Sequence, residues 1–268
     1  AQTQIVFGST IFCLTFAMLF TGLLENKIGP RKMLIISAIL MFAGYLTGSI
    51  SGENFAVLLV GCGLLNGIAI GFGYVCMLAV AMRWFHSRRG FACGMVVAGY
   101  GFGAVVLSLT AQILLNYDWP VMSIFRLMAF VFPAVIFICA MFITNPADYH
   151  SGKIIANINY KTIMHKPKFY VLALATGFGT FSGLMFLGNL KPIALFLGYD
   201  SLAALAAIWL TSAGNTLGRI AGGFLYDRFK SYSIKLILAA IILTSLVIIF
   251  GSINKIIFLR DVPGVENC

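Results

Sequence analysis

The stretch Gly-Leu-Leu-Glu-Asn-Lys-Ile-Gly-Pro-Arg at residues 22–31 follows the first long apolar run of this 268-residue chain. A related stretch, Gly-Phe-Leu-Tyr-Asp-Arg-Phe-Lys at residues 223–230, follows the seventh apolar run. Each contains a glycine, an Asp or Asn four residues later, then a basic residue and an apolar residue. Two matching stretches that lie six apolar runs apart indicate a parallel repeat of two six-span halves.

The composition indicates that most of the chain is surrounded by lipid. Of its residues 60% are apolar and only 10% are charged, whereas a soluble domain is usually about 45–50% apolar and about 25% charged. So few charged groups cannot cover a water-soluble globule of this size. The composition therefore argues against a soluble enzyme, a secreted disulfide scaffold and a disordered protein, and predicts an all-α membrane protein.

A helix that spans a bilayer needs roughly 20 mostly apolar residues, and eight stretches of the chain fit that length. We name the predicted spans A to H: 5–24, 33–50, 55–82, 91–115, 121–143, 169–190, 202–226 and 234–253. The polar stretch between E and F predicts a linker at residues 145–168. We therefore expect a first helical half at 1–144 and a second at 169–268.

The basic residues predict the orientation of the spans. The loops after spans A, C, E and G hold 13 Lys and Arg residues, and the opposite loops and tail hold 3. Because cytoplasmic loops collect Lys and Arg, we expect those four loops to be cytoplasmic in a multi-pass protein of the cell membrane. The net charge of +10 then reflects topology, and we expect no nucleic-acid partner.

The stretch after span A resembles the signature between the second and third helices of the major facilitator superfamily. Within that superfamily, the chain resembles the oxalate/formate antiporter family, which is related to monocarboxylate transporters. The stretches that carry the resemblance are Arg-Trp-Phe-His-Ser-Arg-Arg-Gly at 83–90, Ala-Gly-Tyr-Gly-Phe-Gly at 98–103, Gly-Asn-Leu-Lys-Pro at 188–192 and Gly-Arg at 218–219. The resemblance implies that spans A to H are helices two to nine of a twelve-helix fold. We therefore expect eight of the twelve helices here, with the first and the last three outside this sequence. The resemblance covers about residues 1–250, and the tail after about residue 253 resembles nothing that we identify.

The resemblance also implies that the two repeated stretches control conformational change. The residues concerned are Gly22, Asn26, Lys27, Gly29 and Arg31 in the first copy, and Asp227 and Arg228 in the second. The first copy departs from the family pattern, because Asn26 stands where an Asp is usual and Glu25 precedes it. This departure puts the usual charge pairing of the loop in doubt.

Arg219 is the strongest candidate for binding a substrate. It lies roughly 10 Å inside span G, counted from the cytoplasmic end, and a charge there is costly unless it faces water or a partner. Thr211, Asn215 and Arg219 recur every four residues and predict a polar stripe along the helix. A guanidinium can bind both oxygens of a carboxylate. The alternative is a structural arginine that bonds to the backbone of a neighbouring helix, but by resemblance Arg219 falls on the family's substrate-carboxylate arginine.

Other candidates are less certain from the residues alone. Lys191 either lines the outer vestibule or extends its stem to the membrane surface. Arg126, near the outer end of span E, is more typical of a structural interface. By resemblance, Tyr74 and Tyr100 match aromatic residues of the family's central cavity, although packing aromatics are an equal alternative. Glycines at four-residue spacing, 63/67/71 in span C and 214/218/222 in span G, predict close helix approaches, either static or sliding.

Three classes of function fit a multi-span protein, and the residues favour a secondary transporter of small carboxylates, such as oxalate or formate. A receptor or sensor is the alternative, but it should lack the repeat and the linker. An intramembrane enzyme should have catalytic groups inside its spans, whereas all three histidines, His86, His150 and His165, lie on predicted cytoplasmic segments. No Asp or Glu lies well inside a predicted span, which favours exchange or uniport over proton symport. We expect a monomer without cofactor or metal.

Overall fold

The computed structural model describes most of the first half of the chain and one long helix of the second. The described residues are 2–52, 54–146, 165–167, 169–170, 174, 183, 190, 193–194, 198 and 200–229. Within these residues the long elements are helices. They are α1 (Gln2–Ile28), α2 (Pro30–Ser49), α3 (Phe55–Trp84), α4 (Arg89–Asn116), α5 (Val121–Phe142) and α6 (Ser201–Phe229).

These helices coincide with predicted spans A to E and G, with ends that differ by at most a few residues. Five of them, α1 to α5, are long and apolar enough to cross a membrane. Helix α6 is also long, but polar residues such as Asn215 and Arg219 interrupt its apolar sequence. Span H and almost all of span F lie outside the described residues.

Contacts between residues divide the chain into two compact units. One contains residues 1–157 together with Ser212–Asp227, and the other contains residues 158–211 together with 228–268. The first unit therefore holds α1 to α5 and most of α6, and the site below lies within it. The predicted division into halves at 1–144 and 169–268 stays a prediction, because the intervening segment lies largely outside the described residues.

The junction between α1 and α2 depends on one glycine. Gly29 has a φ of 84°, which a residue with a side chain rarely adopts. Pro30 then begins α2, where its missing N–H is tolerated and its fixed φ suits the first helical turn. The Gly-Pro pair of the repeated stretch thus ends one spanning helix and begins the next without an intervening loop.

Helix α3 contains a π-helical segment at Leu59–Leu65. The π-helical segment follows a short α-helical turn that Asn54 caps. The side-chain oxygen of Asn54 accepts a bond of 3.0 Å from the Ala56 N–H. At the end of the segment the Asn66 N–H donates to the Gly61 carbonyl, five residues earlier. Thr10 of α1 donates to the Cys62 carbonyl at 3.1 Å, which supplies a partner to a carbonyl inside the altered turn.

Small residues let α3 approach α1 and α2 closely. A Cβ added at Gly67 would lie 2.6 Å from the Thr10 carbonyl, and one at Gly71 would lie 2.8 Å from Ala17. The predicted glycine ladder in span C is therefore confirmed as a close approach, here to α1. A different glycine, Gly61, faces α2, where its added Cβ would lie 2.7 Å from the Gly44 carbonyl.

The buried core of the first unit lies where α2, α3 and α5 meet. Its cluster contains Met33 and Leu34 of α2, Cys76 of α3 and Ala140 of α5. Ser37 adds a bond between helices, because its hydroxyl donates to the Ala69 carbonyl at 2.7 Å. Buried hydroxyls that bond to backbone carbonyls leave few unsatisfied polar groups, as lipid surroundings require.

Many large apolar side chains lie on the outside of the helices. Phe12, Leu19 and Phe142, for example, are 71%, 69% and 82% exposed. Such a surface would aggregate in water, but it suits contact with acyl chains, since lipid is as apolar as these side chains.

Candidate anion site and helix-end contacts

Arg219 is held by bonds to its own helix and to α4. Its Nε–H donates to the Asn215 side-chain oxygen at 2.7 Å, one turn earlier on α6. Its Nη1 donates to the Val97 backbone carbonyl of α4 at 3.2 Å. Arg219 therefore makes the bond to a neighbouring backbone that a structural role requires. It also carries further N–H groups on its fork, which a substrate-binding role requires.

Two tyrosines stand beside Arg219. Tyr74 of α3 and Tyr100 of α4 meet edge to face, with ring centroids 5.8 Å apart. Both phenols are close enough to Arg219 to interact with its charge. The group formed by Arg219, Asn215, Tyr74 and Tyr100 is called the anion site below.

The anion site unites four of the five substrate residues expected from the sequence. Arg219, Asn215 and Tyr74 are half-buried and Tyr100 is exposed. The fifth, Lys191, lies outside the described residues. Arg126 is exposed on α5. In the part of the chain that the structure describes, no three His, Cys, Asp or Glu residues are placed to hold a metal ion.

Helices α4 and α6 cross closely beside the anion site. A Cβ added at Gly90 would lie 2.6 Å from the Gly223 carbonyl, one at Gly94 would lie 2.5 Å from the Arg219 carbonyl, and one at Gly101 would lie 2.8 Å from the Thr216 hydroxyl. Because backbone atoms are the main obstacle, only glycine fits at Gly90 and Gly94 without a shift of a helix.

The glycine ladder predicted in span G stays a prediction, because it does not face α4 and the residues of spans F and H lie largely outside the described part of the chain. Among the described residues, nothing lies within 4 Å of a Cβ added at Gly214, Gly218 or Gly222. The contact falls instead on Gly223, which packs against Gly90. Four-residue spacing identifies a face of a helix, but it does not identify the face that a neighbour covers.

The second copy of the repeat ties the end of α6 to the start of α4. The two carboxylate oxygens of Asp227 accept bonds from the backbone N–H groups of Gly90 and Phe91, each at 2.8 Å. Arg88, the residue before α4, makes no side-chain cap of its own, so Asp227 supplies the cap from another helix. A carboxylate there also interacts favourably with the helix dipole.

The first copy of the repeat uses a different carboxylate. Glu25 accepts two bonds from Arg83 at the end of α3, at 2.6 and 2.7 Å. Their side chains are 2% and 13% exposed. Arg83 also donates to Asn145, just after α5, and to Asn26. A charge pair is therefore present at this stretch, formed by Glu25, one residue before Asn26.

The other residues of the repeated stretches have simpler surroundings. Asn26 donates to the Gly22 carbonyl at 2.7 Å, within its own helix. Lys27, Arg31 and Arg228 are exposed. Glu25 and Arg83 were not among the expected site residues. Their opposite charges at span ends on the same side of the membrane are a signal that could have identified the pair.

Together, these observations define a multi-pass, all-α membrane protein with an arginine-centred polar site among its helices. The family model of the Major Facilitator Superfamily matches residues 1–259. The chain therefore belongs to the major facilitator superfamily, a family of membrane transporters.

Three curated relatives are identical to the chain at about one residue in four. An uncharacterized transporter of this superfamily, YhjX of Escherichia coli, is 25% identical over 99% of the chain and 67% of its own length. The agnestins efflux protein AgnL12 of Paecilomyces divaricatus is 25% identical over 85% of the chain and 52% of its own length. The oxalate:formate antiporter of Oxalobacter formigenes is 26% identical over 83% of the chain and 54% of its own length. The chain thus spans about half to two thirds of these proteins.

Proposed function

We propose that the chain is part of a secondary transporter that carries small carboxylates by alternating-access exchange. The observation that carries this proposal is the position of Arg219, a cation within α6 that faces Tyr74 and Tyr100 and is fixed by Asn215 and the Val97 carbonyl. A fixed cation in such surroundings attracts anions, and its fork matches the two oxygens of a carboxylate.

The tyrosines suit a small carboxylate in two ways. Both phenols lie close enough to Arg219 to interact with its charge, and a phenol O–H can donate a hydrogen bond to an anion bound there. The rings supply apolar walls for the body of the ligand. Because such walls exclude water, they also strengthen the attraction between the cation and a carboxylate.

The relatives support transport in general and carboxylates in one case. Two of the relatives compared above differ in function, since one is an efflux protein and the other is an oxalate:formate antiporter. The proposal of a carboxylate therefore rests mainly on the anion site, and the antiporter agrees with it. Following the bias of Lys and Arg, we place the loops after α1, α3, α5 and α6 in the cytoplasm.

Exchange is favoured by the position of the carboxylates. Glu25 lies near the end of α1 and is bonded to Arg83, and Asp227 lies near the end of α6 and caps α4. In the described helices these acidic groups stand away from the anion site, so no proton-binding carboxylate is placed beside Arg219 there. Asp227 instead provides a contact that can close the predicted cytoplasmic end and release when the site opens to that side.

The full-length protein in proteoliposomes tests the proposal by uptake of radiolabelled oxalate and formate. We expect Arg219→Lys and Arg219→Gln to lower uptake by about 100-fold, since the two bonds of the fork to a charged ligand are lost. Arg126→Gln is the matched control, because it removes an exposed arginine of α5. Preloading the vesicles with the same anion should accelerate uptake.

Two results would contradict the proposal. Unchanged uptake in a correctly inserted Arg219→Gln protein would remove Arg219 from the substrate site. Failure of preloading to accelerate uptake by the unaltered protein would contradict exchange, while leaving the role of Arg219 in place.

A further inference from the structure

The contacts of Arg219 limit the way in which it can bind a carboxylate. A guanidinium presents two edges that can donate two parallel bonds, one formed by Nε and Nη2 and the other by Nη1 and Nη2. The bond of 2.7 Å to the Asn215 oxygen occupies Nε. Nε carries a single hydrogen, so the first edge cannot give both of its donors to a substrate. Nη1 and Nη2 carry two hydrogens each, so the terminal edge can still bind a carboxylate although Nη1 also donates to the Val97 carbonyl.

The same bond fixes the direction of the terminal edge. Asn215 lies one turn before Arg219 on the same face of α6, and its amide oxygen holds the guanidinium at Nε. The Val97 carbonyl of α4 holds Nη1 at 3.2 Å. Two partners on two helices define the plane of the group, so the fork is oriented before a ligand arrives. Such preorganisation lowers the cost of binding.

We propose that Asn215 is a positioning residue, which acts on the substrate through Arg219 by directing the terminal edge of the guanidinium. This inference rests on the proposed function and assigns Asn215 a role different from that of a direct substrate ligand. Asn215 is suited to this role because a neutral amide accepts a bond from Arg219 without cancelling its charge. An aspartate at the same position would pair with Arg219 and compete with a carboxylate substrate.

The experiment measures the half-saturation constant for radiolabelled oxalate in proteoliposomes that contain the full-length protein. We expect Asn215→Ala to raise that constant about tenfold, as the loss of one charge-assisted hydrogen bond would, with a smaller effect on the maximal rate. Asn215→Asp should raise it more. Asn116→Ala is the matched control, because it breaks an exposed bond between side chains four residues apart on α4, Gln112 to Asn116.

A second background separates positioning from direct contact. In Arg219→Lys protein, which lacks the fork, we expect Asn215→Ala to cause no further loss of oxalate binding, measured as oxalate-dependent thermal stabilisation. An undiminished effect in that background would show that Asn215 contacts the substrate itself and would overturn the proposal. Asn215→Ser serves as a second variant if the alanine variant fails to insert.

The outcomes for this inference and for the proposed function can be told apart. If Arg219→Gln leaves uptake unchanged, the proposed function fails. If Arg219→Gln abolishes uptake but Asn215→Ala leaves the half-saturation constant unchanged, the proposed function stands and the positioning role is wrong.

Discussion

The two copies of the repeated stretch place their carboxylates differently. In the first copy Glu25 forms a buried ion pair with the side chain of Arg83. In the second copy Asp227, which aligns with Asn26, accepts bonds from backbone N–H groups at the start of α4. The position of the carboxylate within the stretch differs by one residue, and its partner differs too. The carboxylate of the first copy binds an arginine side chain, whereas that of the second copy binds the N-terminus of a helix.

The difference suggests different roles for the two ends. A buried ion pair that is broken leaves an uncompensated charge, so it opposes separation strongly. A cap made by a half-buried aspartate stabilises its helix by less. We therefore infer that the Glu25–Arg83 pair holds α1, α3 and the end of α5 together throughout transport, while the Asp227 contact opens and closes.

The largest effect should follow from breaking the first of these contacts. We expect Arg83→Ala to lower the free energy of unfolding by about 3–5 kcal/mol, because Glu25 would remain charged and buried. Denaturant titration of the full-length protein in detergent measures it. Lys27→Ala removes an exposed base of the same stretch and is the control. A loss no larger than that of the control would contradict a stabilising role for the pair.

An intermediate effect on the free energy of unfolding should follow from adding a side chain at the glycine of the second copy. Gly223 packs on Gly90, so Gly223→Ala should destabilise the crossing of α4 and α6 by about 1–3 kcal/mol. Gly22, its counterpart in the first copy, has nothing within 4 Å among the described residues. Gly22→Ala should therefore be neutral or stabilising by up to about 1 kcal/mol. Equal losses in the two unfolding titrations would remove the distinction between the copies.

The smallest effect should follow from weakening the Asp227 contact. We expect Asp227→Asn to cost about 1–2 kcal/mol, enough to shift the population toward a state open at that end. Distances between spin labels near the ends of α4 and α6, measured in nanodiscs, should lengthen.

A substitution at the aligned position of the first copy, Asn26, provides the comparison for that measurement. Since Glu25 already holds Arg83, Asn26→Asp should leave the label distances unchanged. A distance distribution unaltered by Asp227→Asn would show that the cap does not control opening, and an effect of Asn26→Asp as large would show that the copies are equivalent.

The sequence predicted the features that depend on composition and local pattern. Long apolar runs gave the spans to within a few residues, and the repeat pointed to the superfamily. Arg219 and Asn215 were selected because polar residues recur at four-residue spacing inside an apolar run, and Tyr74 and Tyr100 were selected by resemblance to the family. The structure brings the four residues together, and their role in binding stays a prediction. The bond from Arg219 to the Val97 carbonyl and the contact between the two tyrosine rings were not predicted, since they depend on how α3, α4 and α6 meet.

The remaining features depend on tertiary contacts that no local pattern encodes. Arg83, the partner of Glu25, lies at the end of another helix, and its bonds to both Glu25 and Asn26 depend on how α1 and α3 pack. The contact at Gly223 rather than Gly222 depends on the rotation of α6 against α4. A difference of one residue on a helix changes the direction of the side chain by about 100°, more than the periodicity of glycines can resolve.

The π-helical segment of α3 has a consequence for comparing this chain with its relatives. A π turn closes its hydrogen bonds over five residues where an α turn uses four, so Leu59–Leu65 takes up an extra residue. The residues before Leu59 therefore point in directions different from those that an uninterrupted α-helix ending at Trp84 would give them. If a relative has an ordinary helix here, a correct alignment with it needs a one-residue gap inside this helix, where gaps are usually forbidden.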